Sequence, residues 1–487
     1  VNVVLILSDQ HAAGFTGCYG SAIARTPNID SLAGRGARFD AAISPCPLCV
    51  PARSAMFTGR YAHELGLFEN AISWNGTPSG YVHCLRDAGV HVTSIGKLDF
   101  TPGGDHGFTE EIFAKHRKQS WVDVTGAPWS PHTAPRVARA PGAVEAKVVR
   151  AELPVALAHA DGVSDARLFR EVMTTAPADG LHPTLYADER VAELTEEWIA
   201  NHRPTDRPWM LNVNFFKPHA PLHPPLDIWR HYDARLTADD LGPRYRQAMD
   251  DLPPHYRARA QSHGGQHFSL EDTRRAQVGY YGTIECVDRN VGRVLAALER
   301  AGVLDETLVL YTCDHGDAMG AHRLLAKTNL YDDALRVPLL AAGPGVRPSV
   351  LRTPVSLLDI WPTVLEAMDV PVPPIGHGRS FWWQLAGAPE PPDRAIFCEA
   401  HSKRYPSSLL AMRTRRWKYV EPAGGHRPML FDLQNDPDEL DDLLVNGTPS
   451  GDAAGVADQL REQLHAICAP DTVDAEHRRY VQRFGGE

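Results

Sequence analysis

Four stretches of the chain share one pattern, an apolar run that ends in a polar cluster. They are VVLILS (3–8) before Asp9, HVTSIGK (91–97), PWMLNVNFF (208–216) and TLVLYTCDHGD (307–317). Such runs predict strands buried on both faces, as in a parallel sheet. Between them, PNIDSLAGRG (27–36), ADERVAELTEEWIANH (187–202) and GTIECVDRNVGRVLAALERAG (282–302) read as helices, the first with Pro early and Gly late. Strands alternating with helices predict an α/β fold, a sheet with helices on both faces. In such sheets ligands gather at the carboxyl ends of the strands, which is where the polar clusters fall.

The pattern weakens in two places. Residues 125–180 are rich in Ala, Pro and Arg, and residues 235–272 are polar and rich in Pro and His; both are expected to be loop insertions. After PVPPIGHGRS (371–380) the texture changes. RAIFCEA, LLAMRTRRWKYV and PMLFDL read as short strands, and AAGVADQLREQLHAICA as a closing helix. With 487 residues the chain is too long for one ordinary core. The expected organisation is a catalytic α/β domain over 1–370 and a smaller α+β domain with an antiparallel sheet over 371–487.

The formal net charge of −11 argues against nucleic acid as the main partner, because phosphate backbones need a basic surface. It does not bear on small anions, which feel the local field of their pocket. No apolar run reaches the length of a membrane span. The 8 cysteines are scattered without a disulfide-scaffold pattern, and the expectation is a reduced, cytoplasmic protein. Only eight of the 49 basic residues are lysines, so a lysine inside a motif carries some information.

The stretch CPLCVPARS (46–54) admits three readings. Cys46 and Cys49 can form a redox pair or half a zinc site, they can be core residues, or only Cys49 matters, with Pro51 and Arg53 as the rest of the signal. No thioredoxin-like βαβ context supports the redox pair. Asp9 ends the first strand, and Asp314 and His315 end a late one. Two carboxylates and an imidazole at one sheet edge make a candidate divalent-metal site, although each aspartate alone reads as an ordinary cap or turn residue.

CVPAR matches the C-x-P-x-R signature of the formylglycine-dependent sulfatases, within the alkaline phosphatase superfamily. The resemblance extends along the chain in family order. NVVLILSDQH, TPNIDSLAGRGARFDAAIS, PARSAMFTGR, the GK at 96–97, KPHAPLHPP (217–225), CDHGDAMGAHRLLAKTNLYDDALRVPLL (313–340) and LFDLQNDPDELDDL (430–443) each resemble a family block. The pattern is most similar to the choline-sulfatase-like and phosphonate monoester hydrolase branch. It implies an alkaline-phosphatase-like fold with a large mixed, mostly parallel sheet. It also implies hydrolysis of a sulfate monoester to alcohol and sulfate, with Cys49 oxidised to formylglycine by a maturation enzyme that reads Pro51 and Arg53. In the family the hydrated aldehyde attacks sulfur through one hydroxyl, and the other then expels sulfate. The metal ligands implied are Asp9, Gln10, Cys49, Asp314 and His315, around one divalent ion, Ca²⁺ or Mn²⁺, with Mg²⁺ also admitted. Lys97 and Lys327 match the lysines that hold sulfate oxygens, Arg53 neutralises charge beside the nucleophile, and His219 protonates the leaving oxygen. His322 is expected to be an outer-sphere or structural residue.

Two departures bear on chemistry. Classical arylsulfatases carry adjacent aspartates where Gln10 follows Asp9 here, and Asn where His315 stands, which leaves the metal open. Relatives usually place histidine two residues after the GK lysine; here it is Asp99. This carboxylate is read as a replacement base, a partner for a cationic substrate, or a residue pointing away. The rival functions are phosphonate monoester or phosphate diester hydrolysis at the same site, and non-catalytic anion or metal binding with Cys49 unmodified. The partners expected are a small sulfated substrate and the maturation enzyme; assembly into a homo-oligomer is left open. Trp121, Trp129, Trp382 and Trp383 are candidates to meet the leaving alcohol.

Overall fold

A computed structural model describes residues 1–112, 173–174, 176–177, 183–445 and 451–485. The expected insertion at 125–180 lies outside these but for its last short pieces, and so do Trp121 and Trp129. The core is an eight-stranded mixed sheet. Its order is Ser349–Leu351, Ala37–Phe39, Leu339–Ala342, Thr307–Cys313, Asn2–Asp9, Trp209–Pro218, His91–Gly96 and Glu110–Ile112. Every pairing is parallel except those of Leu339–Ala342, which runs antiparallel to both neighbours. The four apolar runs read from the sequence are the four adjacent central strands.

The period of two along a strand explains why these runs do not alternate. Val3, Leu5 and Leu7 enter one hydrophobic cluster with Leu308 and Leu310. Val4 and Ile6 enter a second with Leu211, Val213 and Val309. Helices cover both faces, so both sets of side chains leave water. One cover is the helix Leu270–Arg300, longer than its expected 282–302; its Ser269 cap accepts the N–H of Asp272. The stretch 235–272 is not a bare loop, for it contains the helix Pro254–Ser262 and several 3₁₀ turns. Among the described residues no helix is long and apolar enough to cross a membrane.

Beyond residue 371 a four-stranded antiparallel sheet follows in sequence order, Ile396–Ala400, Leu409–Arg413, Trp417–Pro422 and Met429–Asp432. Phe397, Leu410 and Leu430 join the cluster that holds Leu5. Cys398, Ala411 and Phe431 join Ile43, Leu324 and Tyr331 from the earlier part of the chain. Both faces of the small sheet thus bury apolar side chains shared with residues before 370.

Strand register sets the functional edge. Ser8 pairs with Cys313, which puts Asp9 beside Asp314. A register shift between Leu7 and Asp9 brings Asp9 opposite Pro218, the neighbour of His219. Gly96 pairs with Asn214, and the Lys97 N–H bonds the Asn214 carbonyl at 3.1 Å. Gly96 sits at φ 99°, and a Cβ there would stand 2.1 Å from that same oxygen. Gly96→Ala is therefore expected to cost about 1–3 kcal/mol of stability from backbone strain alone. Thermal unfolding measures this, and turnover should fall with it because Lys97 is displaced.

Candidate active site

Cys49 is the first residue of the helix Cys49–Thr58, every residue of which is buried. Sequence reading did not assign this helix, because no polar face marks it. Its position points the positive end of the backbone dipoles at the sheet edge, a place suited to anions. Around the Cys49 sulfur stand Lys327 Nζ at 3.2 Å, His315 Nε2 at 3.3 Å and Asp9 Oδ1 at 3.7 Å. Ligand atoms of Asp9, Cys49, Asp314 and His315 all lie within 4.8 Å of one another.

The two carboxylates divide their oxygens. Arg53 spans the outer pair, with Nε donating to Asp314 Oδ2 at 2.8 Å and Nη2 to Asp9 Oδ2 at 3.3 Å. Lys97 Nζ also donates to Asp9 Oδ2. Of the other two oxygens, Asp9 Oδ1 lies toward the Cys49 sulfur, and Asp314 Oδ1 accepts the N–H groups of Gln10 at 3.0 Å and His315 at 2.9 Å. Burial pushes the Asp9 carboxyl up, but Lys97, His219, Arg53 and Lys327 together hold it well below the usual carboxylate range. Burial and Asp9 push the Cys49 thiol up. Burial also lowers the His315 pKa, favouring neutral imidazole. Its Nδ1 lies 2.9 Å from the Gly316 carbonyl. With the proton on Nδ1, donated to that carbonyl, Nε2 keeps a lone pair toward the cluster, as a metal-ligating histidine requires. Two carboxylates and an imidazole therefore fit a divalent cation of the Ca²⁺, Mg²⁺ or Mn²⁺ kind.

A family model described as sulfatase matches residues 1–370, and one described as the C-terminal part of N-sulphoglucosamine sulphohydrolase matches 320–469. The chain belongs to the sulfatase family. The sulfatase is 29% identical over 454 residues to choline-sulfatase of Rhizobium meliloti (strain 1021), covering 91% of this chain and 82% of that one. It is 27% identical over 503 residues to arylsulfatase K of Danio rerio, covering 99% and 87%. Among solved structures, phosphonate monoester hydrolase of Agrobacterium radiobacter shares the fold, with a TM-score of 0.69, 24% identity and coverage of 98% and 96%. The chain is thus a sulfatase enzyme of alkaline-phosphatase-like fold.

The other residues singled out in the sequence of this sulfatase fall as follows. Gln10, in the left-handed region at φ 68°, accepts from Lys327 at 2.7 Å through Oε1 and donates to Asp317 through Nε2. Its Oε1 thus lies beside the lysine that stands 3.2 Å from the Cys49 sulfur. Asp99, at φ 60°, lies 3.0 Å from Lys97 Nζ through Oδ2. His219 is buried, and its Nδ1 lies 2.8 Å from the Ala220 carbonyl. His322 stacks on Tyr331 with centroids 3.7 Å apart and bonds Gln247 at 2.8 Å, a structural placement. Cys46 is buried with Leu48 and Ala62, and it carries a free thiol as Cys49 does. Trp382 meets Gly345, close to Gly343, which abuts Thr307 at the start of the strand whose far end carries Asp314. This tryptophan therefore stands at the opposite edge of the sheet from the site, and Trp383 beside it bonds Glu366.

Asp317, the last residue of the polar cluster at 314–317, holds Gln10. One residue had no signal in the sequence: Asp188 accepts the N–H groups of Phe216 at 2.6 Å and Lys217 at 3.0 Å, fixing the start of the loop that carries His219. Burial pushes the Asp188 carboxyl up to about 7. Asp188 comes from the helix Pro183–Glu197, where an aspartate reads as a solvated residue.

The two halves of the site separate experimentally. Asp314→Ala should lower bound metal, measured by elemental analysis, together with kcat. Lys327→Ala should keep the metal and lose roughly 2.7–4 kcal/mol of transition-state stabilisation, the scale of an oxyanion donor. Equal metal loss in both would contradict the division.

Proposed function

We propose that this sulfatase hydrolyses a sulfate monoester to alcohol and sulfate at Cys49 after its conversion to formylglycine, with a divalent cation held by Asp9, Asp314 and His315. The observation that carries the reading is the convergence of Lys327, His315 and Asp9 on the Cys49 sulfur at 3.2–3.7 Å at a buried helix start. The bound cation supplies a Lewis acid that favours an ionised oxygen nucleophile. The hydrated aldehyde supplies that hydroxyl and a second one through which sulfate departs.

The chain's own residues do the rest. Lys97 and Lys327 hold sulfuryl oxygens and stabilise the charge that grows on them. Arg53 fixes both buried carboxylates by hydrogen bonds. His219, with Nδ1–H given to the Ala220 carbonyl, carries on Nε2 the proton for the departing alcohol oxygen. Asp99 is paired with Lys97, which supports a role in positioning that ammonium. The small sulfated substrate and the maturation enzyme are the partners of this reading, and the cytoplasm its compartment.

Phosphonate monoester or phosphate diester hydrolysis is the second reading, favoured by the shared fold with the Agrobacterium radiobacter enzyme and by a site built for a tetrahedral oxyanion. Kinetics on phenyl sulfate and phenyl phosphonate esters decide between them; the sulfate ester is expected to have the higher kcat/KM. Mass spectrometry of the peptide containing Cys49 should show the aldehyde, by a loss of mass and reaction with hydrazides. Cys49→Ala should abolish turnover, whereas full activity in that variant would end the mechanism. For Asp99→Asn the expected result is a lower kcat/KM without a burst. A burst of alcohol equal to the enzyme present would instead make Asp99 the base for sulfate release.

A further inference from the structure

We propose that Arg259, Lys403 and Arg404 form a cationic wall that selects sulfate esters whose alcohol bears a second anionic group, a carboxylate or a further sulfate. The inference rests on the hydrolysis proposed above. Residues 402–405 bracket the nucleophile. On one side the Lys403 N–H donates to Glu69 Oε1 at 3.0 Å, and the next residue, Asn70, accepts the N–H of Val50 at 3.1 Å, directly after Cys49. On the other side the Tyr405 hydroxyl donates to the Thr328 carbonyl at 2.6 Å, directly after Lys327.

Arg259, from the helix Pro254–Ser262, ties this segment to the site. Its guanidinium donates to the Lys327 carbonyl at 3.3 Å and to Ser402 Oγ at 3.5 Å, and lies over the Tyr405 ring at 5.7 Å from the centroid. Arg404 Nη1 stands 2.6 Å from His263 Nε2. His263 accepts this bond as neutral imidazole and so holds the guanidinium; Lys403 is exposed and Arg404 half-buried, so positive charge reaches the surface beside the segment that brackets the nucleophile. A rim of one sign beside low-dielectric walls focuses its field on an approaching ligand.

The same geometry disfavours a cationic alcohol. A quaternary ammonium needs carboxylates or open aromatic faces. Among the described residues, the carboxylates at the nucleophile already face partners: Asp9 and Asp314 face Arg53, Asp99 faces Lys97, and Asp317 faces Gln10. Glu69 accepts from His477 as well as from Lys403. The Tyr405 ring is covered by Arg259, and Trp382 lies at the far edge of the sheet.

The test is a charge series on one aryl frame: para-carboxyphenyl sulfate, para-phenylene disulfate and para-(trimethylammonio)phenyl sulfate. Comparing wild type with the double variant Lys403→Gln/Arg404→Gln cancels the intrinsic reactivity of each leaving group. In the variant the ratio of kcat/KM for an anionic over the cationic ester should fall at least about tenfold, chiefly through KM, and raising ionic strength should shrink it in wild type. A response from either anionic ester supports the wall, and the two together show whether carboxylate or sulfate is preferred. A ratio that does not move overturns it. Calorimetric binding of para-hydroxybenzoate against para-(trimethylammonio)phenol reads the wall without turnover. If no ester is cleaved but the carboxylate binds more tightly and depends on Lys403 and Arg404, the wall stands and the hydrolysis reading falls. Equal binding of the two phenols overturns the wall.

Discussion

The site is organised around one buried guanidinium. Arg53 has no exposed side-chain surface, and neither do its partners Asp9 and Asp314. Two carboxylates brought this close out of water would repel and take up a proton. Arg53 and, at Asp9, Lys97 compensate them from the outer side, which leaves Asp9 Oδ1 turned toward Cys49. A third bond, from Arg53 Nη1 to the Lys97 carbonyl at 2.5 Å, ties the lysine backbone to the same hub. Removing the guanidinium would take the ion-pair partner from buried Asp314 and leave Asp9 to Lys97 alone, a cost that exceeds what any surface pair contributes.

This hub depends on the whole sheet. Asp9 ends the central strand, Asp314 its neighbour on one side, and Lys97 follows a strand two places away on the other. Arg53 reaches them from a helix packed beneath the sheet edge. The central strands are buried on both faces, so a one-residue slip would turn every apolar side chain to the wrong cluster and is strongly opposed. Register is thereby fixed by hydrophobic packing, and the positions of the charged groups follow from it. The ion pairs do not hold the fold together; the fold holds the ion pairs.

The C-terminal sheet is the second element the site relies on. It shares its apolar clusters with the earlier part of the chain, and the segment between its first two strands lies against both Val50 and Lys327 through Glu69, Asn70 and Thr328. That arrangement places residues from a late part of the chain beside the cluster at Cys49.

The sequence by itself determined the four central strands, the polar edge and the identity of most residues that gather there. Long apolar runs ending in Asp, Lys or His are legible because burial and charge act on each residue type locally. The motif around Cys49 was legible for the same reason, since its meaning lies in adjacent residues. Tertiary structure decided what local pattern does not encode. It made Cys49 the start of a fully buried helix that has no polar face to announce it. It turned Gln10 toward Lys327 and Asp317, and Asp99 toward Lys97. It recruited Asp188, which reads as a solvated helix residue, to hold the His219 loop. It sent Trp382 to the far edge of the sheet, and brought Arg259 onto Ser402 and Tyr405, the neighbours of Arg404 about 145 residues further along. Such contacts are set by strand register and by how the small sheet docks, and both are properties of the packed chain rather than of any stretch within it.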